Sequence, residues 1–387
     1  MADVTRGGAL AVVAACAFAA AASTFPPPAA ATAAPEPPAG IAAATWQRFD
    51  DVLAGRLVGR GDSAAGVAVS YRGTLLHAAA FGTRSPADPG DATAITDRFR
   101  LASISKLLTA TVALQLVADR SLELDAPLGN LLAAAAGAPA IDPSWQAVTV
   151  RQLLSHTSGA PSYRREFFNG TFGSCGGPDG AAVHGLARPL ERPPGTRHIY
   201  SNLGYCLLGL LIAHAEGAPY ERVVTARLLA PLGITGMRTV GTFDPHPDEV
   251  VHASGQGRTY MQALGGAGAW VATPSDVVTL LDALDRPAAI GGEWRPLPPE
   301  LAALMRQPVA GVTYPEPGAR TYGLGVIVWP DGSWGHTGTV ESTHTIAARR
   351  PDGVTFAILV SGEVPGSSED LAGIFDRALR DAGIALA

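Results

Sequence analysis

The sequence predicts a mixed α/β (α+β) fold with two lobes. N- and C-terminal strands share one antiparallel sheet flanked by helices, and a mostly α-helical lobe is inserted between them. Strand-like runs lie near both ends of the chain, helical periodicity dominates the middle, and an amphipathic helix lies outside the strands at each end. Hydrophobic residues make up 47% of the 387 residues and charged residues only 16%, which supplies a large core and excludes a disordered chain.

The N-terminal segment has the features of an export signal. A positive charge precedes an apolar run over 9–22, which is short for a membrane span, and an Ala-x-Ala cleavage sequence stands at 31–33. We therefore expect a signal peptide over 1–33, a Pro- and Ala-rich tether over 34–44, and a secreted or extracytoplasmic protein (periplasm or cell wall). Lipid attachment at Cys16 is an alternative membrane anchor, but the apolar run continues past Cys16, which favours cleavage.

The remainder, 45–387, is expected to form one domain. Its sheet lobe would comprise 45–102 and 306–387, and its helical lobe about 107–305. A cleft between two such lobes is the default place to look for chemistry.

The first elements are a helix and a hairpin. Thr45 is a candidate cap for a helix with one apolar stripe. The stripe consists of Trp46, Phe49, Leu53 and Leu57. Runs over 67–71 and 74–81 read as strands, and Arg72-Gly73 between them is a two-residue hairpin signal.

The C-terminal elements mirror this pattern. Runs over 323–329, 343–348 and 355–360 read as strands. A last helix is predicted to open at Ser367, with Asp370 completing a capping box. Its apolar face consists of Leu371, Phe375 and Leu379.

Charge and composition exclude several classes of function. The 28 Lys and Arg residues against 34 Asp and Glu give a formal charge of −6 without a basic block, so nucleic acid is not an expected partner. Three Cys cannot form a disulfide framework or a Cys-rich metal site, and the nine His show no metal-ligand spacing. We expect neither a metal nor an organic cofactor.

The first candidate for chemistry is Ser103-x-x-Lys106 at the start of a helix that is apolar on nearly every face. A serine hydroxyl needs a base to become a nucleophile, and a buried lysine at a helix N-terminus has a lowered pKa that suits it for this task. Lys106 is the single lysine among 28 cationic residues. Arginine cannot release its proton, so the one retained lysine stands where a releasable proton would matter.

Two further segments carry polar groups suited to catalysis. Tyr200-Ser201-Asn202 precedes another apolar helix, and a tyrosine near a lysine can act as a phenolate-like proton shuttle. The segment 334–339 (WGHTGT) would let a substrate backbone approach an exposed strand closely, because its residues are small. Taken alone, Tyr200-Ser201-Asn202 is more typical of a turn with an N-cap Ser or Asn.

The three motifs in this order resemble the serine β-lactamase and penicillin-binding protein superfamily, in the branch of class C β-lactamases and D-alanyl-D-alanine carboxypeptidases. The resemblance covers nearly the whole mature chain and implies a β-lactamase-like fold. Tyr-Ser-Asn and His-Thr-Gly disfavour a class A β-lactamase. Further family-like stretches are 151–159 (RQLLSHTSG), 231–235 (PLGIT), 265–268 (GGAG), 273–276 (TPSD) and 322–325 (YGLG).

The resemblance also implies a role for each motif residue. Ser103 would be the acylated nucleophile, and Lys106 and Tyr200 would exchange its proton. Asn202 would bind Lys106 and the acyl-side amide of the substrate. The oxyanion hole would consist of the backbone N–H groups of Ser103 and Thr339, and the leaving group would face His336 and Thr337.

The sequence departs from the family pattern on the leaving-group side. His336 replaces the lysine of β-lactamases, as in some carboxypeptidases and D-amino-acid peptidases. Val326 and Ile327 stand where those carboxypeptidases can place a carboxylate-binding arginine, and Arg320 is a candidate substitute. Charged residues of a loop after 151–159 are further candidates to line the cleft: Arg164, Arg165 and Glu166.

Two cysteines remain in the mature chain, Cys175 and Cys206. Export permits a disulfide between them, and Cys206 lies one helical turn beyond Asn202, so a bridge would hold the Cys175 loop near the cleft. Two free thiols are the alternative.

These inferences predict an exported serine hydrolase that works through a Ser103 acyl-enzyme, D-alanyl-D-alanine carboxypeptidase-like in substrate. A β-lactamase-related esterase and a class C-like β-lactamase are alternatives, so the expected partner is a small peptide, β-lactam or ester. A non-catalytic binder of cell-wall peptide or penicillin is an alternative of another class.

Overall fold

Strands from both ends of the chain build one sheet. The computed structural model describes residues 41–58, 63–285, 294–314 and 320–386, which belong to one compact unit. The predicted signal peptide, Cys16 and most of the tether lie outside the described residues. The strands are β1 (Ala64–Tyr71), β2 (Thr74–Ser85), β3 (Asp88–Ala92), β4 (Phe99–Arg100), β5 (Arg238–Thr239), β6 (Trp270–Ala272), β7 (Thr321–Tyr322), β8 (Ile327–Val328), β9 (Trp334–Val340), β10 (Thr343–Arg349) and β11 (Val354–Ser361).

The large sheet is antiparallel, in the order β3-β2-β1-β11-β10-β9-β8-β7. N-terminal β1 pairs with C-terminal β11 along its whole length, from Ala64 opposite Ser361 to Tyr71 opposite Val354. The predicted sharing of one sheet is therefore confirmed. Arg72 and Gly73 both adopt positive φ, as a tight hairpin between β1 and β2 requires.

The predicted strand over 323–329 is wrong. Two-residue strands, β7 and β8, flank a turn in which Gly325 has φ +93°. A Cβ at Gly323 would lie 2.1 Å from the carbonyl oxygen of Met305, so the backbone packs too tightly there for a continuous strand. Apolar content alone did not reveal this turn.

Twelve α-helices lie in the described residues. They are α1 (Ala43–Leu57), α2 (Ser105–Ala118), α3 (Gly129–Ala136), α4 (Val150–Leu154), α5 (Arg164–Phe168), α6 (Ala181–Leu186), α7 (Asn202–Glu216), α8 (Tyr220–Val224), α9 (Tyr260–Leu264), α10 (Pro274–Asp285), α11 (Pro299–Met305) and α12 (Asp370–Ala382). None of these helices is both long enough and apolar enough to span a bilayer.

The terminal helices α1 and α12 pack on one face of the large sheet. The predicted apolar stripes are buried there, and the rings of Phe356 and Phe375 stack with centroids 4.0 Å apart. Both predicted starts are wrong. α1 begins at Ala43, which places Thr45 inside the helix, and α12 begins at Asp370. The Ser367 N–H and hydroxyl do donate to the Asp370 carboxylate, so the predicted contact forms in the turn before α12.

The helical lobe surrounds α2, whose residues from Ser105 to Leu116 are all buried. Helix α7 packs against α2. Helix α10, which lies within the range predicted for the helical lobe, instead packs on the sheet, where Asp282 accepts hydrogen bonds from Ser70 and Thr355. The N-terminus of α2 meets β9, so the sheet and the helical lobe converge at Ser103.

Candidate active site

Ser103 lies in a single 3-10 turn, Ala102–Ile104, directly before α2. Ala102 has φ +47°, a left-handed conformation that is costly for a residue with a Cβ. Strand β9 lies close behind this turn, since a Cβ at Gly338 would lie 2.5 Å from the carbonyl oxygen of Leu101. The glycine thus allows β9 to approach the serine.

The amine of Lys106 contacts the hydroxyl of Ser103. Its Nζ lies 3.1 Å from Ser103 Oγ, 3.0 Å from Asn202 Oδ1 and 2.7 Å from the carbonyl oxygen of Ala267. The side chain is fully buried, and no carboxylate of the described residues forms an ion pair with it. Burial lowers the pKa of Lys106 well below its usual value.

The three contacts fit either protonation state of this amine. Asn202 Oδ1 and the Ala267 carbonyl can only accept, whereas the Ser103 hydroxyl can accept from an ammonium or donate to a neutral amine. Because burial lowers the pKa of Lys106, the neutral form is more accessible than in an exposed lysine. In that form the lone pair of Nζ faces the Ser103 hydroxyl and can take its proton.

Tyr200 lies beside this pair, with its ring centroid 4.9 Å from Lys106 Nζ. Burial raises the pKa of Tyr200, and a hydrogen bond with Ser103 opposes that rise only in part. Burial therefore favours the neutral phenol of Tyr200 over the phenolate. The expected phenolate-like shuttle is therefore disfavoured, and Tyr200 is suited to pass protons as a phenol.

The start of α7 positions Tyr200 and Asn202. The Ser201 side chain caps this helix by accepting from the Gly204 N–H at 3.3 Å, and it donates to the Pro161 carbonyl at 2.7 Å. The Ser201 N–H donates to His156 Nδ1 at 3.1 Å, and the His156 ring packs on Tyr200 with centroids 4.2 Å apart. His156 was not among the predicted site residues, although it lies in the family-like stretch 151–159.

One edge of β9 is open toward the cleft. Strand β8 pairs only with Trp334 and Gly335, so among the described residues the rest of β9 has a strand neighbour only on the β10 side. Thr337 and Thr339 line the cavity from this edge, and the Thr339 hydroxyl lies 2.6 Å from Ser368 Oγ. An extended substrate segment has room to pair here.

His336 also lines the cavity but is only 1% exposed. Its Nδ1–H donates to the Thr337 carbonyl at 2.5 Å, and its Nε2 accepts from the Tyr322 hydroxyl at 2.9 Å. Burial is the main cause that lowers the pKa of His336 to about 3. A neutral imidazole with both nitrogens occupied is poorly suited to anchor a carboxylate, which disfavours the role expected for His336. Tyr322, which sequence reasoning missed, lies in the family-like stretch 322–325.

A cavity of about 800 Å³ opens in front of Ser103. Arg320 lines it in an ion pair with Glu369, whereas Val326 is fully buried and does not line it. Of the charged loop residues, Arg164 lines the cavity and Arg165 and Glu166 do not. Other lining residues are Asn202, Tyr200, Phe168, Glu191, Arg192, Arg197, His198, Tyr314, Ile327 and Ser368.

Cys175 and Cys206 form a disulfide, with Cα atoms 5.6 Å apart. Cys206 lies on α7 one turn after Asn202. The bridge therefore ties the preceding loop to the helix that presents the Tyr200 and Asn202 motif.

Removing this bridge should destabilise the fold. The two cysteines are 31 residues apart, and closing a loop of that length stabilises a fold by about 3–4 kcal/mol through restriction of the unfolded chain. We expect the Cys175→Ala/Cys206→Ala variant to lose that much free energy of unfolding in denaturant titration. Reductant should destabilise the wild type but not the variant, and an equal response of both would contradict the assignment.

Comparisons with known proteins identify the family of this chain. The family model described as Beta-lactamase matches residues 49–380. Penicillin-binding protein 4 of Amycolatopsis lactamdurans is 30% identical over 294 residues, 70% of this chain and 73% of that protein. Esterase EstB of Burkholderia gladioli is 33% identical over 160 residues, 39% of this chain and 40% of the esterase. The chain spans 32% to 46% of the length of other curated relatives, among them the D-alanyl-D-alanine-carboxypeptidase/endopeptidase AmpH of Escherichia coli K12.

The fold is shared with a solved hydrolase. D-amino acid amidase from Ochrobactrum anthropi SV3 superposes with a TM-score of 0.69 at 23% identity, over 88% of this chain and 98% of that one. At this identity the likeness establishes the fold. Together with a family model that covers most of the chain, it shows that this protein belongs to the Beta-lactamase family of serine hydrolases.

Proposed function

We propose that this protein is an exported serine hydrolase that forms an acyl-enzyme at Ser103 and releases the C-terminal residue of D-alanyl-D-alanine-type peptides. The observation that carries the proposal is the contact between the Ser103 hydroxyl and the buried amine of Lys106. No carboxylate among the described residues pairs with this amine. Export is inferred from the N-terminal sequence.

In the proposed reaction, Ser103 Oγ attacks the scissile carbonyl carbon while its proton moves to the lone pair of Lys106 Nζ. The N–H groups of Ser103 and Thr339 stabilise the resulting oxyanion. Cleavage of the C–N bond follows when a proton passes from Lys106 through Tyr200 to the leaving amine. Water then attacks the acyl-enzyme along the reverse proton path and frees Ser103.

Substrate orientation would follow from the open edge of β9. An extended peptide would pair with β9 through its backbone, and the Asn202 amide would hold the acyl-side peptide group. Because His336 is buried and neutral, the C-terminal carboxylate would be held by the Thr337 hydroxyl and by Arg320, which would exchange its ion pair with Glu369 for the substrate.

The other readings rest on weaker observations. The likeness to an esterase and the apolar Ile327, which lines the cavity, favour the esterase alternative. The residues that line the cleft do not by themselves discriminate between peptides and β-lactams as substrates. A non-catalytic binder is disfavoured, since Ser103, Lys106 and Tyr200 are all present and in contact.

Blocking the peptide C-terminus tests the substrate class. We expect a D-Ala-D-Ala peptide to lose at least about tenfold in kcat/KM when its terminal carboxylate becomes an amide, because charge-assisted hydrogen bonds are lost. Mass spectrometry of released D-alanine or D-alanine amide measures both reactions. Equal or faster cleavage of the amide, or of a p-nitrophenyl ester, would favour the amidase or esterase reading.

A further inference from the structure

We propose that three arginines of the helical lobe, Arg164, Arg192 and Arg197, form an anion-binding subsite for a second carboxylate of the substrate. This carboxylate would lie on the acyl side, in addition to the peptide C-terminus. The inference rests on the proposed function and assigns its substrate class: acidic acyl donors.

The three side chains line the same cavity as Ser103. Arg164 begins α5, while Arg192 and Arg197 belong to the segment between α6 and α7, which runs into Tyr200. They thus belong to the helical-lobe wall, whereas Arg320 stands at the start of β7 on the sheet side. A ligand that reaches both walls would meet separate cationic groups.

The charge of the cavity is opposite to that of the protein. Four arginines and two glutamates line it, whereas the whole chain has a formal charge of −6. Four positive and two negative side chains leave an excess of positive charge, and a concave surface with such an excess attracts ligands of the opposite sign. The cavity therefore favours an anion although the protein does not.

The three arginines of the subsite differ from Arg320 in their ion pairs. Arg320 is already engaged by Glu369. Within the described part of the chain, no carboxylate lies in ion-pair distance of Arg164, Arg192 or Arg197. The guanidinium of Arg192 donates to the Glu191 carbonyl at 3.2 Å. Their bidentate donors are therefore available to a ligand carboxylate.

The subsite acts close to the reacting groups. The positive charges of Arg320 and Arg164 each lower the pKa of Tyr200, in opposition to the rise that burial causes. Both guanidinium groups therefore lie within electrostatic range of the Tyr200 hydroxyl. A cavity of about 800 Å³ also has room for residues beyond the scissile pair. A carboxylate one residue upstream of the reacting carbonyl is the group that we expect these arginines to bind.

Two isosteric peptides test the proposal. N-acetyl-D-Glu-D-Ala-D-Ala and N-acetyl-D-Gln-D-Ala-D-Ala differ in one charge and have the same C-terminus. We expect kcat/KM for the glutamyl peptide to be about tenfold higher at low salt, as for one charge-assisted hydrogen bond. The preference should shrink toward unity in 1 M NaCl, where the screening length falls to about 3 Å.

Variants locate the effect. Arg164→Gln/Arg192→Gln/Arg197→Gln should bring the ratio of the two peptides to about one. Arg165→Gln is the matched control, because Arg165 is exposed like its neighbour Arg164 but does not line the cavity. This variant should leave the ratio unchanged. A ratio near one in the wild type, or an equal loss in the Arg165 variant, would overturn the proposal.

Failure of the proposed function can be distinguished from failure of the subsite. If the peptides are not cleaved, coumarin esters of succinate and butyrate can be compared instead. Their acyl groups differ in the presence of a carboxylate, so their acylation rates test the subsite. A preference for the succinyl ester that the triple variant removes supports the subsite with a different scissile bond. Equal rates overturn the subsite and leave the acyl-enzyme standing, and no acylation by any of the four compounds overturns both.

Discussion

Replacing Ser103 with alanine should abolish covalent labelling by a fluorescent penicillin or fluorophosphonate. The hydroxyl that faces the Lys106 amine is then missing, so no acyl or phosphonyl bond can form. In the wild type, the added mass should lie on the peptide that contains Ser103. Gel fluorescence and peptide mass spectrometry measure both outcomes.

Ser105 is the internal control for this experiment. It lies two residues away, is fully buried, and accepts a hydrogen bond from the Trp270 N–H at 3.2 Å. Ser105→Ala should lower stability and keep labelling. Loss of labelling in Ser105→Ala together with its retention in Ser103→Ala would show that the motif has been assigned to the wrong serine.

Lys106→Arg should slow acylation by at least about a hundredfold, the lower range for loss of a general base. Arginine keeps a positive charge but cannot accept the serine proton, since its pKa stays above about 12. Stopped-flow acylation by a chromogenic ester or β-lactam measures the rate. The pKa of the wild-type lysine is lowered by burial, so wild-type acylation should fall only when acid protonates the amine.

Folding must be checked for this variant, because a guanidinium is larger than an ammonium and Lys106 is fully buried. A melting temperature close to that of the wild type is the control. A folded Lys106→Arg protein that acylates within about tenfold of the wild type would remove Lys106 from the proton path. Tyr200 would then be left as the only candidate base.

Local patterns were enough to predict much of the architecture. The apolar stripe of α1, the Arg72-Gly73 turn and the buried α2 each follow from spacing within a few residues. The starts of α1 and α12 could not be predicted in the same way, because a capping residue competes with neighbours for the same backbone groups. The turn at 323–326 depends on packing against Met305, which lies in a different part of the chain.

The candidate site shows the same division. Ser103, Lys106, Tyr200 and Asn202 could be named from motif order, since their chemistry depends on residue type. The burial of His336 and its bond to Tyr322 depend on how β7 and β9 pack, which no local pattern reports. The expected role of His336 is therefore the one that the structure disfavours most clearly.

The amino-acid sequence by itself determined the class of fold, the nucleophile motif and the single lysine able to release a proton. Only the tertiary structure shows which groups of the site are buried and which charged residues line the cleft. Burial lowers the pKa values of Lys106 and His336 and raises that of Tyr200. Three arginines from two separate segments of the chain line the cavity. Desolvation and the meeting of distant side chains arise only from long-range packing, and for this reason the chemistry of the site could not be read from its residue types alone.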